Sequence, residues 1–305
     1  TRLGKQQVIW GRTDLFRVLD VINPVDYSRN NIYDELEDIR IPMWILKTDY
    51  RMGATETFDD LNLQLIWNFD RFRPNDLGQC GQPNVIVDAG CFFRGMNNLW
   101  ENGGTVANFA GGVAATDFGP GQIGIRQANL PNWSLSNTQV GLKFEGVLGD
   151  LGVSLNALSY RSQMPSIRGG IEAQNGFTGE VAVWPALIAF DIDFPRVTLL
   201  GGSMDYYSQG IDTVFRVEAA HTSGEEFANT LRSELFSESD VLRYVIGADK
   251  NIFIPFLNDK RAFLYHQHNR LYLIVLGQSS NRLVFVRLFL SAQITNPVNI
   301  HLAPL

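Results

Sequence analysis

Asp59-Asp60-Leu61-Asn62-Leu63-Gln64-Leu65-Ile66-Trp67-Asn68-Phe69-Asp70 alternates apolar and polar residues along nearly its whole length. In an extended chain successive side chains point to opposite faces, so Leu61, Leu63, Leu65, Trp67 and Phe69 share one face and Asn62, Gln64, Asn68 and Asp70 the other. Ile66 alone breaks the alternation. A strand of about ten residues, apolar on one face, polar on the other and ending in aromatics, is what a transmembrane β-barrel requires, because a tilted strand crosses the bilayer in roughly 9–11 residues. A large soluble sheet has the same pattern, so recurrence and composition must choose between them.

The pattern recurs. Ile41–Arg51 reads as a strand that pairs with Leu61–Asp70 as a hairpin across Gly53–Asp60. Trp44, Tyr50, Trp67, Phe69 and Phe72 cluster near the ends of the two arms, where a barrel carries its interfacial aromatics. Within Asn137–Arg161, Val140, Leu142 and Phe144 oppose Lys143 and Glu145. The chain then turns at Leu148-Gly149-Asp150-Leu151-Gly152, and Val153, Leu155 and Ala157 oppose Ser154 and Asn156. Val197–Tyr207 and Thr213–His221 make a further pair, with Phe215, Val217 and Ala219 against Arg216 and Glu218. A charge facing lipid at mid-membrane costs about 2–4 kcal/mol, so in a barrel Arg216 and Glu218 face the lumen. Leu242–Asp249 alternates again; Phe263–Leu276 and Leu283–Leu290 do so less cleanly. Gln6–Gly11 is a short strand candidate, and two stretches have helical spacing: Leu15, Val18, Leu19 and Ile22 within Thr13–Asp26, and Phe227, Leu231 and Leu235.

Composition removes several classes. The 305 residues are 45% apolar and 19% charged, which excludes a disordered chain and falls below the roughly 25% charge of soluble proteins. A net charge of −7 without a basic cluster argues against nucleic acid. The longest apolar runs, Val181–Phe190 with Pro185 inside it and Leu271–Gly277, are too short for a spanning helix of about 20 residues, so a membrane reading leaves the barrel. Thr1-Arg2-Leu3-Gly4 resembles neither a signal peptide nor a native start, and a processed or partial chain is expected. Arg73–Trp133 is rich in Gly, Pro, Asn and Gln with little period-two pattern; in a barrel it makes a long extracellular loop or a plug. Cys80 and Cys91 within it are expected as a disulfide closing a surface loop, which implies an oxidising compartment; the alternative is two unpaired thiols.

Reactive chemistry is sparse. Gly103-Gly104 and Gly111-Gly112 lack the strand and helix of a phosphate loop. His221-Thr222-Ser223-Gly224-Glu225-Glu226 is the best local cluster for a hydrolase, His266 and His268 a weak metal pair, and Asp34, Glu35, Glu37 and Asp38 lack the spacing of a calcium loop. No catalytic residue, metal or cofactor is assigned. Passage through a barrel needs only a lumen and a gate. Asn62, Gln64, Asn68, Lys143, Glu145, Asn156, Arg216 and Glu218 are the lumen-facing candidates, because they oppose apolar strand faces.

Several stretches resemble one family: Gly4-Lys5-Gln6-Gln7-Val8-Ile9-Trp10-Gly11, Arg17-Val18-Leu19-Asp20-Val21-Ile22-Asn23-Pro24-Val25-Asp26, Asp38-Ile39-Arg40-Ile41-Pro42, Phe194-Pro195-Arg196-Val197-Thr198-Leu199-Leu200-Gly201-Gly202 and Gly224-Glu225-Glu226-Phe227-Ala228-Asn229-Thr230. They are similar to the proteobacterial domain-of-unknown-function family 1302, over roughly residues 1–262. The resemblance implies an outer-membrane β-barrel of a Gram-negative bacterium, in contact with lipid and lipopolysaccharide. It also implies neighbours that resemble a periplasmic lipid carrier and an RND-type permease, and it carries over no catalytic residues. The expectation is therefore all-β: a single antiparallel transmembrane barrel over 1–305, incomplete at both ends, with long loops, a plug segment and at least ten strands. Its function would be to pass a small, hydrophobic or lipid-like molecule. The alternatives are a non-transporting surface scaffold, an outer-membrane hydrolase around His221, and a soluble β-sandwich.

Overall fold

In the computed structural model, which describes residues 1–13, 17–28, 36–78, 89–105, 117–174, 178–183, 188–251, 268–278 and 284–293, the alternating stretches become one antiparallel sheet of ten strands. We label them β1 (Arg2–Gln6), β2 (Met43–Arg51), β3 (Asp60–Asn68), β4 (Gln139–Leu148), β5 (Leu151–Arg161), β6 (Arg196–Ser208), β7 (Thr213–Ala228), β8 (Phe236–Asn251), β9 (His268–Gln278) and β10 (Val284–Gln293). Their order across the sheet is their order in the chain, an up-and-down meander. Among the described residues β1 pairs only with β2 and β10 only with β9, so the sheet has two edges.

The faces are inverted relative to a water-soluble protein. One row of cross-strand partners reads Tyr50, Leu63, Phe144, Leu155, Gly202, Ala219 and Tyr244 from β2 to β8, and the next reads Thr48, Leu65, Leu142, Ala157, Leu200, His221 and Leu242. Both rows belong to the outward face, where Leu155 is 68% exposed, Leu200 58% and Leu65 46%. On the opposite face Gln64, Lys143, Ser154, Asn156, Ser203 and Glu218 are buried. Period-two alternation fixes both faces together, since a one-residue slip in register would exchange them.

That buried face is concave. Strands β2 to β8 would span about 29 Å if flat, at ~4.8 Å per strand. Yet one continuous cluster joins Met43 and Ile45 of β2, Ile66 of β3, Leu158 and Tyr160 of β5, Val197 and Leu199 of β6, Ala220 of β7 and Val245 of β8 to Val8, Trp10, Val18, Leu19 and Ile22 of the β1–β2 connection. A single segment reaches all these strands only if the sheet curls around it.

The connections divide by end. At one end lie the eight-residue loop 52–59, the two-residue turn 149–150 and the four-residue turn 209–212. Gly149 (φ 57°) and Asp212 (φ 48°) supply the left-handed backbone that such tight turns require. The opposite end holds the long connections 7–42, 69–138 and 162–195. There Ile188–Asp193 pairs in parallel with Ile123–Ala128 and antiparallel with Ser166–Arg168. The helix Ala89–Asn102 packs on this small sheet through Met96 and Leu99, against Ile125, Phe190, Ile192 and Phe194.

Three expectations change. Gln6–Gly11 is not a strand: β1 ends at Gln6, and Val8 to Gly11 turn into the concavity. The helical spacing of Thr13–Asp26 forms no helix in its described part, because Gln163, Arg17 and Glu218 satisfy its backbone and the curved sheet buries its apolar residues. Phe227, Leu231 and Leu235 lie instead on the hairpin of β7 and β8. Leu235 takes a left-handed φ of 62° there, and Gly169 donates its N–H to Glu234 O at 2.7 Å. Of Arg73–Trp133, the described parts make the helix and the strand Ile123–Ala128 at the long-connection end.

Candidate functional site

The segment from Gln7 to Tyr27 leaves β1, descends along the concave face and returns to the same end. One side chain secures its two limbs. Asn23 Oδ1 accepts the Val8 N–H at 2.8 Å, while its Nδ2 donates to the carbonyls of Gln6 (3.1 Å) and Ile41 (3.0 Å). Beneath it the Asp20 carboxylate accepts from Arg40 Nε (2.7 Å) and Nη2 (2.6 Å), an ion pair almost wholly buried. Removing one partner of such a pair costs about 3–5 kcal/mol, because the other charge is left buried alone.

The layers of the concave face differ in polarity. Towards the long-connection end the row Ile66, Gly141, Leu158 and Leu199 is apolar, and Trp10 and Leu19 pack on it. Ile66, the exception in the alternating strand, is thus part of the seat for Trp10. Trp10 Nε1 donates to Gln64 Oε1 at 2.7 Å, which marks the boundary, and Gln64 Nε2 donates on to Asp49 at 2.6 Å. Towards the short-turn end the rows are polar: Gln64, Lys143 and Asn156, then Asn62, Glu145, Ser154, Ser203 and Glu218.

The deepest bonds of the segment are made at Arg12 and Thr13. The Arg12 guanidinium meets Glu145 of β4 at 2.6 Å and Asp205 of β6 at 2.7 Å. Glu218 of β7, fully buried, accepts the backbone N–H groups of Arg12 and of Thr13, the latter at 2.7 Å. Arg216 donates to the Arg12 carbonyl at 3.3 Å and pairs with Asp249 of β8 at 2.8 Å, and Lys143 lies 3.2 Å from Glu145. Four strands, β4, β6, β7 and β8, are therefore linked through the polar belt around one arginine. The Asn156 amide, in the same belt and buried, hydrogen-bonds no described residue.

All eight polar positions selected from the sequence fall on this concave face. Lys143, Glu145, Arg216 and Glu218 meet at Arg12, Gln64 meets Trp10, and Asn68 lies against Gln139 at 3.4 Å. Asn62 and Asn156 stand in the same rows without such links. The sequence reading missed Trp10, Arg12 and Asn23, which no local periodicity marks. It also missed Asp205 and Asp249, although Asp205 alternates with Met204 and Tyr206 in the way that marked the others.

The remaining candidates lie elsewhere. His221 is on the outward face, its Nε2 3.9 Å from Asp240 and its side chain half exposed. His266 and His301 lie outside the described residues, as do Asp34 and Glu35, while Glu37 and Asp38 belong to the one-turn helix Leu36–Ile39. Among the described residues no group of three or more His, Cys, Asp or Glu is placed to hold a metal ion. Cys91 is in the first turn of the helix Ala89–Asn102, and Cys80 lies outside the described residues.

A family model described as a protein of unknown function, DUF1302, matches residues 1–266. The chain belongs to the DUF1302 family. No curated protein and no solved structure matches it. The matched part of this DUF1302 chain holds β1 to β8, the tucked segment and the small sheet, so the whole site described above lies within the family's extent; β9 and β10 follow it.

Proposed function

We propose that this DUF1302 protein is an outer-membrane β-barrel whose interior is a gated passage, with residues 7–27 as the gate. The observation that carries the reading is the inversion of the sheet: polar side chains buried on the concave face and large apolar ones exposed on the convex face. A water-soluble protein would leave a contiguous apolar surface of this kind uncovered, whereas hydrocarbon covers it. The cargo is a small, hydrophobic or lipid-like molecule, handed on by a periplasmic carrier-like protein and an RND-type permease; this part rests on the family resemblance alone. The same reading has Cys80 and Cys91 form a disulfide in an oxidising compartment. Alkylation of the denatured chain before and after reduction tests it: modification of both thiols without reductant would refute the bond.

The gate is tested by conductance in planar bilayers. Glu218→Ala strips the Arg12 and Thr13 N–H groups of their acceptor at a cost of about 1–3 kcal/mol, so open probability should rise roughly tenfold over the parent. Arg12→Ala, whose ion pairs are partly exposed, should give a smaller rise in the same direction. The packed interior equally suits a scaffold that passes nothing. That alternative wins if the parent, both variants and a chain with 7–27 replaced by a short Gly/Ser link all fail to conduct.

A further inference from the structure

Between the returning limb of the tucked segment and the concave wall lies a cavity of about 390 Å³ at the long-connection end. Its apolar lining is Val18 and Val21 from the segment, Tyr160 from β5, Val197 and Leu199 from β6, and Met164 at the rim, and polar groups complete the walls. This volume equals the liquid share of about a dozen waters and lies within the range of small-ligand sites, roughly 300–1,000 Å³.

The charges around it cancel. Arg243 is bound through both Nη groups to the Glu225 carboxylate and also reaches Thr222 Oγ1 at 3.2 Å. Glu226 is held by Arg168 at 2.8 Å and by Ser166 at 2.5 Å. Arg17 donates to the carbonyls of Asp20 (2.8 Å) and Asn23 (2.6 Å). Two lining hydroxyls, those of Tyr27 and Tyr160, hydrogen-bond no described residue, and Tyr160, on the concave wall, is only 8% exposed. An occupant with one polar group would give the Tyr160 hydroxyl a partner inside the cavity.

We infer that this cavity is a binding site for one small neutral amphiphile, an apolar body with a single hydroxyl, carbonyl or N–H that pairs with Tyr160 Oη. An ammonium would find Glu225 and Glu226 already paired, and a carboxylate would have to displace the carbonyls that Arg17 holds. The cavity is too small for a whole diacyl lipid. Because Val18 and Val21 form one wall, an occupant would press on the tucked segment; that consequence rests on the passage reading, while the site itself does not.

The test uses N-phenyl-1-naphthylamine, a neutral aromatic amphiphile with one N–H that fluoresces on leaving water. It is titrated into nanodiscs holding the full chain, with empty nanodiscs subtracted. The parent should give saturable binding. Tyr160→Phe, which keeps the ring, should weaken it about 3–10-fold, as expected for one hydrogen bond. Val21→Trp, which fills the cavity from a half-buried position, should abolish it, and Leu200→Ala on the convex face should leave it unchanged. Absence of saturable binding, or binding indifferent to both cavity variants, overturns the inference. Conductance measured on the same samples separates this failure from failure of the passage reading, since either result can occur without the other.

Discussion

A methyl group at position 141 would stand 2.5 Å from Cη2 of Trp10, 2.8 Å from Leu158 Cδ1 and 3.0 Å from Ile66 Cγ1. Gly141 is therefore the floor on which the indole rests, and space alone demands glycine there. Gly141→Ala should unseat Trp10 at a cost of about 1–3 kcal/mol, the usual range for overpacking. Faster trypsin cleavage at Arg12 and Arg17 in the native protein would report it, and an unchanged cleavage rate would refute the seat. At this scale the sequence was half legible. The break in alternation at Ile66 was visible, but its cause, a tryptophan 56 positions earlier in the chain, was not. Arg12 shows the same limit, because its partners come from β4, β6 and β7 and no local spacing brings them together.

Strands were the most readable elements, since one period fixes both faces. Leu155 and Asn156 are adjacent in β5 and point oppositely, which gives a test of what lies outside the sheet. In lipid, Leu155→Arg should destabilise by about 2–4 kcal/mol, while Asn156→Ala, which removes an amide with no described partner, should change little. Denaturant unfolding of the lipid-embedded protein measures both. If Leu155→Arg proves neutral, the convex face meets water and the membrane reading falls. The elements that misled were those formed by long-range partners. The helix Ala89–Asn102 contains Gly90, Gly95 and three Asn, poor helix formers, and packs against strands far along the chain. Conversely, Phe227 to Leu235 has helical spacing and became a hairpin: Gly224 (φ 86°) lies at a register shift, and Arg168 covers Phe236 at 4.2 Å.

For the whole molecule, the meander places every strand beside its chain neighbour, and the inverted faces predict where the protein resides. Expressed behind an export signal, it should sediment with outer membranes, need detergent for extraction, and migrate differently on gels before and after boiling, as closed barrels do. A chain that remains in buffer without detergent would contradict all three. The sheet topology was largely legible, because sequential hairpins leave few alternatives. A pairing that would join the two edges, β1 and β10, is encoded in no periodicity.

Gln6 and Met43, where the excursion through the concave face leaves and rejoins the sheet, are cross-strand partners. Both ends of that excursion are thus anchored at one end of the sheet, so its described part enters and leaves the concave face on the same side. If it serves as the gate, it would swing out and back without unpairing a strand, on the microsecond-to-second scale of lid opening. Such a gate, tethered at both ends, would fall back into the same seat after each opening.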